Sequence, residues 1–230
     1  MSAIKTDAET VPATVAIVRR PPSTFQSAEE YFPARPTLPL LEEAATACQA
    51  CDLHLTGTKT VFGAGAPKAT VVFVGEQPGD QEDRQGKPFV GPAGRLLDEA
   101  LVEAGIDREE VYVTNVVKHF KWDRGEKGTR RIHKKPSDAE IRACSPWLRA
   151  ELTAIAPRVV VPLGATASQA IMGKAFRVTR DRGKPFPTEN GYTVVATMHP
   201  SAILRAPTSE ARRIGREDLV RDLKVVARSR

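Results

Sequence analysis

His133 ends the segment Gly-Thr-Arg-Arg-Ile-His at positions 128–133, inside the most basic stretch of the chain. Residues 118–135 hold eight Lys or Arg, opposed only by Asp123 and Glu126, a local surplus of six. The formal net charge of the whole chain is +6, so the remainder is electrically balanced. A glycine-flanked basic loop on a neutral body suits phosphate, with counterion release supplying affinity. Arg130 and Arg131 are its candidate phosphate contacts. The histidine beside them is either one more polar contact or a nucleophile. Neutral imidazole is competent at pH 7, since its ordinary pKa is about 6.5, and neighbouring guanidinium groups favour the neutral form.

The cysteines suggest a second chemistry. Cys48 and Cys51 form a Cys-x-x-Cys pair, Cys144 lies in a helical pattern after the basic stretch, and His119 lies before it. Three cysteines do not make a disulfide framework. Three thiolates and one imidazole do make a tetrahedral ligand set, for Zn²⁺ or for an iron–sulfur cluster. A metal joining His119 to Cys144 would clamp both ends of the loop that carries His133. The alternative is a buried helical cysteine and a histidine satisfied locally.

Positioning these groups requires a scaffold. Four runs of mostly apolar, β-branched residues, at 70–74, 111–117, 159–163 and 193–197, read as strands buried on both faces. Helical patterns at 93–104, 137–155, 165–172 and 210–227 alternate with them, the second opened by Ser137 and Glu140 as a capping box. The alternation predicts a three-layer α/β/α fold around a central, mostly parallel four-stranded sheet. Such sheets bind ligands beyond the carboxyl ends of their strands. Glu76 and Gln77 follow the first strand, Asn115 ends the second, and His199 follows the fourth, so these four should meet in one crevice.

At 25.0 kDa, with 41% hydrophobic and 27% charged residues, the chain suits one soluble domain, taken as residues 40–230, with the basic loop inserted at about 119–136. Residues 1–39 hold six of the 18 prolines and read as a loosely ordered leader with a local turn near 25–32. No stretch reaches the roughly 20 apolar residues of a membrane span, and no signal pattern opens the chain. A cytoplasmic monomer is expected.

Gly-Glu-Gln-Pro-Gly at 75–79, Lys-Pro-Phe-Val-Gly at 87–91, Thr-Asn-Val-Val-Lys at 114–118 and His-Pro-Ser at 199–201 together resemble the motifs of the uracil-DNA glycosylase superfamily. Cys48, Cys51 and Cys144 resemble ligands of its iron–sulfur branches, related to family 4. His119 where relatives carry Cys, with the inserted Arg-Arg-Ile-His loop, resembles the UdgX group. The resemblance covers about residues 48–205. It departs at Thr129, where that group has Lys, which removes one loop charge.

The resemblance implies excision of uracil from DNA, preferably single-stranded, a 4Fe-4S cluster on Cys48, Cys51, His119 and Cys144, and covalent joining of His133 to C1′ of the abasic sugar. Phe89 would stack on the flipped base, or simply fill the core. Asn115 can accept from uracil N3–H and donate to O4, the reverse of what cytosine offers. His199 would donate to uracil O2 as charge gathers there. Gln77, by side chain or backbone N–H, would hold the pyrimidine edge, with Ser201 and Arg205 on phosphate. Glu76 would offset positive charge at the sugar, supported by Asp80 and Asp83. Two other readings stay open: a turnover glycosylase in which His133 only assists, and a non-catalytic nucleic-acid-binding module.

Overall fold

The computed structural model describes residues 26–125, 128 and 130–230; residues 1–25 of the expected leader, and Thr129, lie outside them. Strands β1 (Ala64–Gly65), β2 (Val71–Gly75) and β3 (Val111–Asn115) precede a separate two-stranded hairpin, β4 (Trp122–Arg124) and β5 (Arg131–His133). Then come β6 (Val159–Pro162), β7 (Pro185–Pro187) and β8 (Thr193–Val195). The main sheet has the order β1-β3-β2-β6-β8-β7. Its four central strands, β3, β2, β6 and β8, are mutually parallel, and short antiparallel strands guard both edges.

The apolar runs explain the layers. In β2, Val72 and Val74 face one side while Val71 and Phe73 face the other, as a period of two requires. Helices α1 (Leu38–Ala45), α2 (Leu53–Thr56) and α5 (Asp138–Ile155) belong to the first face, with Trp147 fully buried. On the second face, α4 (Pro92–Ala104) meets α9 (Ser209–Ser229) through Leu97, Leu101, Leu219 and Leu223, none of them solvent-exposed. The remaining helices, α3 (Asp80–Gln85), α6 (Gly164–Met172), α7 (Val178–Asp181) and α8 (Pro200–Leu204), are short connections. The capping box at Ser137 and Glu140 forms as the spacing predicts.

Two expectations change shape. The packed body begins before residue 40: Ala28, in a 3-10 turn at Ala28–Tyr31, is fully buried, and Phe32 lies 4.8 Å from the Trp147 ring. The basic segment, expected as a loop, is a hairpin whose register sets Trp122 opposite His133 and Arg124 opposite Arg131. Among the described residues no helix is long and apolar enough to cross a membrane.

Candidate active site

At the carboxyl end of the sheet, β2 and β3 stop in register, Gly75 beside Asn115. Gly75 is needed there, because a Cβ would stand 2.2 Å from the Asn115 amide oxygen and 2.9 Å from the Phe89 ring. Asn115 is 3% exposed, yet among the described residues no group hydrogen-bonds its side-chain amide. Its amide atoms are not among the sealed, unpartnered ones, so the group is open to solvent at the strand end and free to meet a ligand there.

Phe89 forms one wall. Its φ of 56° is unusual for a residue with a bulky side chain. Gly94 of α4 packs against its backbone so closely that a Cβ would come within 1.7 Å of the Phe89 carbonyl oxygen. The loop is thereby held, and the ring lies nearly parallel to that of His199, at 23° and 6.2 Å.

His199 caps α8, where its Nδ1 accepts the Ser201 backbone N–H at 3.1 Å and lies 2.9 Å from the Ser201 hydroxyl. Burial pushes its pKa down to about 4, reinforced by Arg205 and His133. The ring is therefore neutral with its proton on Nε2, a donor directed away from α8. Gly164, at φ +82°, lets it approach the end of β6, with a virtual Cβ 3.0 Å from that of His199. The Ser201 backbone N–H and hydroxyl, both on Nδ1, fix this tautomer.

His133 approaches from the hairpin. Its Nε2 stands 3.6 Å from Glu76 Oε1 and 2.9 Å from Gln77 Nε2. Burial lowers its pKa, Glu76 opposes this and Arg205 adds to it, so the ring is neutral at pH 7. The charge responsible is Arg205, not the neighbouring Arg130 and Arg131 that the sequence suggested. Glu76 is held on its other oxygen by the Thr166 hydroxyl of α6.

The arginines and Gln77 need correction. Arg130 is exposed, whereas the Arg131 side chain is engaged within the protein. Its guanidinium pairs with Asp80 and, at 2.6 Å, with fully buried Asp83, and bonds Thr58. The rings of Phe120 and Trp122 flank it at 5.3 and 5.5 Å. Burial works against the Asp80 charge, but Arg84 and Arg131 hold its pKa below the usual carboxylate value. Arg131 thus latches the hairpin to α3. The Gln77 side chain does similar work. Its oxygen accepts the Lys121 N–H at 3.0 Å, which fixes the amide orientation, and its nitrogen shares two protons among the Lys134 carbonyl and His133 Nε2, both at 2.9 Å, and the Lys121 carbonyl at 3.2 Å. The side-chain amide is thus engaged with the hairpin on both its oxygen and its nitrogen.

The cysteines gather on the other side of β3. Cys48, Cys51 and Cys144 are buried, and the pKa values of Cys51 and Cys144 are pushed up to about 12, chiefly by burial and also by the nearby thiols. The Trp147 indole N–H donates to Cys48 Sγ at 3.4 Å, and the Lys118 backbone N–H donates to Cys144 Sγ at 3.2 Å. Burial lowers the His119 pKa to about 4. A cleft of about 540 Å³ opens beside Cys48, His54, Thr60 and His119. Among the described residues no three His, Cys, Asp or Glu side chains are drawn in to the spacing of a single-ion site.

Residues 62–224 match the model of the "Uracil DNA glycosylase superfamily". The chain belongs to the uracil-DNA glycosylase superfamily. It is 43% identical over 181 residues to the "Type-4 uracil-DNA glycosylase" of Thermotoga maritima, covering 78% of this chain and 90% of that protein. The enzyme of the same name from Archaeoglobus fulgidus is 40% identical over 167 residues, covering 70% and 79%. The "Type-5 uracil-DNA glycosylase" of Thermus thermophilus is 28% identical, covering 69% and 84%. The span that matches the superfamily contains Glu76, Gln77, Phe89, Asn115, His133 and His199, whereas Cys48 and Cys51 precede it.

Sequence reasoning missed three residues of this candidate site. Thr166 orients Glu76, Phe120 lies 5.9 Å from the His133 ring, and Lys118 grips the Asn115 carbonyl. Of these, only Lys118 left a signal, as the last residue of the Thr-Asn-Val-Val-Lys motif.

Proposed function

We propose that the chain is a uracil-DNA glycosylase that excises uracil, preferably from single-stranded DNA, and then bonds His133 to C1′ of the abasic sugar. The observation that carries this reading is a neutral imidazole, His133, 3.6 Å from the Glu76 carboxylate at the sheet end where Asn115, Phe89 and His199 gather.

A flipped base stacks on Phe89, at an unstacking cost of a few kcal/mol that single strands lower. The Asn115 amide pairs with N3–H and O4; cytosine would leave buried polar groups unsatisfied, costing about 1–3 kcal/mol each. As the N1–C1′ bond breaks, its electron pair leaves with the base, and His199 Nε2–H donates to O2. Glu76 offsets the positive charge at the sugar. The lone pair of His133 Nε2 then forms the new N–C1′ bond. The Nδ1 proton passes to solvent, from which the uracil anion regains one. An N-alkylated imidazole is a poor leaving group, so each protein molecule acts once.

The buried thiols and His119 fit an iron–sulfur cluster better than one Zn²⁺ ion. The three thiols lie close enough that Cys48 raises the pKa of Cys51 and both raise that of Cys144, His119 bonds the Thr60 hydroxyl at 3.0 Å beside Cys48, and two N–H groups already serve sulfur atoms, the usual environment of cluster thiolates. Cys48, Cys51, His119 and Cys144 would hold it. When bound, it supplies structural cross-linking between the N-terminal segment, the end of β3 and α5.

The test mixes the protein with labelled single-stranded DNA carrying one uracil, followed by denaturing electrophoresis. A shifted band that survives heat and detergent, absent with uracil-free DNA and with His133→Ala, is the expected result. Strand breakage after alkali without a band would mean a turnover glycosylase. Neither signal would leave a binding module and overturn the pocket assignment.

A further inference from the structure

Beneath Asn115 lies a buried ion pair that the chemistry above does not use. Lys118 is 1% exposed and Glu151 of α5 is not exposed at all. The three protons of the Lys118 ammonium go to Glu151 Oε2 at 2.5 Å, the Thr114 hydroxyl at 2.6 Å and the Asn115 backbone carbonyl at 2.9 Å. Glu151 is equally saturated: Oε1 accepts the Gly63 N–H, the Tyr112 hydroxyl and the Thr114 hydroxyl, each at 2.9–3.0 Å. Gly63 is required for this, since a Cβ would stand 2.5 Å from that oxygen.

Stability alone does not explain such a pair. Well-packed apolar replacements of a buried ion pair are often neutral or stabilising. Its geometry points to another role. β3 ends at Asn115, and the following N–H groups of Val116 and Val117 turn to the Gly75 and Glu76 carbonyls. The Asn115 carbonyl at this strand end takes the Lys118 ammonium, so the chain from Asn115 to Lys118 closes on itself with α5 as the anchor. Among the described residues, by contrast, no group hydrogen-bonds the Asn115 side chain. Its attitude over Gly75 depends on its backbone.

We propose that Lys118 and Glu151 are a positioning pair that sets the Asn115 amide in the plane where it distinguishes uracil from cytosine. The inference rests on the reading of Asn115 as the group that pairs with the base edge. The pair acts from below, through the carbonyl, and touches no substrate.

The experiment replaces both charges with apolar groups of similar volume, Lys118→Met with Glu151→Leu, in the full-length, cluster-loaded protein. Readouts are melting temperature, visible absorbance, affinity for uracil-free single-stranded DNA, affinity for free uracil by calorimetry, and the single-turnover excision rate. The first three should match the native protein. Uracil affinity and excision rate should fall roughly ten- to a hundredfold, the scale of a small misplacement of a reacting group. In an Asn115→Ala background the same double replacement should cost less than about twofold more, because the group being positioned is gone.

A folded double variant with native uracil affinity and rate would overturn the proposal, as would losses that simply multiply with those of Asn115→Ala. If Asn115→Ala itself left both readouts unchanged, the base-edge reading would fall and take this inference with it. Should the double variant not fold, Thr114→Val, which removes one ammonium partner in a similar shape, is read against the same outcomes.

Discussion

The nucleophile assigned to His133 depends on its being uncharged while close to a carboxylate. Burial and Arg205 lower its pKa more than Glu76 raises it, and His199, at about 4, stays neutral as well. Protonation removes the lone pair, so capture slows as pH falls. With the pKa below the ordinary value of about 6.5, the capture rate should be flat from pH 8 to about 6.5 and decline only under more acidic conditions. Rapid-quench measurement of adduct formation across pH 4.5–8 checks this. A midpoint at or above 6.5 would mean that the Glu76 charge outweighs burial and Arg205. Glu76→Gln should move the midpoint further down, since the one group raising the His133 pKa has lost its charge.

The hairpin is an element with few apolar contacts: Ile132 is exposed, and β4 and β5 pair only with each other. Polar ties from outside hold it. Arg131 grips Asp80 and Asp83, Gln77 bonds the backbone at both ends of the hairpin, and Lys121 reaches Glu140 at 2.8 Å. The ties seen here are ion pairs and hydrogen bonds from the Gln77 amide. Arg131→Ala should leave excision within about threefold of native, because Asn115, Phe89 and His199 stand on other elements. The same change should slow covalent capture tenfold or more, as His133 loses its fixed approach. Released uracil and adduct, followed in one time course, separate the two. Equal losses in both would show that the hairpin shapes the base pocket too.

For the molecule as a whole, the cysteine cluster and the base pocket flank the same strand end, joined through Lys118, whose ammonium holds Asn115 and whose N–H serves Cys144. Anaerobically purified protein should be brown and contain iron and sulfide. Cys144→Ser should lose the colour and lower the melting temperature, because metal-binding free energy is folding free energy in such sites. A colourless, zinc-loaded protein of native stability would contradict the cluster.

The residue order by itself determined the parallel sheet, since uninterrupted Val-rich runs alternating with amphipathic stretches have few other ways to be buried. It also placed Glu76, Asn115 and His199 at one end of that sheet, because in a parallel sheet every strand ends on the same side. It could not show how Arg131 or Gln77 would be used. Both are polar residues near a basic segment, and only the approach of α3 and the hairpin to each other decides whether they meet phosphate or carboxylate and backbone. The same holds for Lys118, 33 residues from Glu151 in the chain. Local pattern fixes which face of a strand or helix is apolar. Pairings between polar groups far apart in sequence are set by how those elements finally pack, which is where this protein's tertiary structure had the last word.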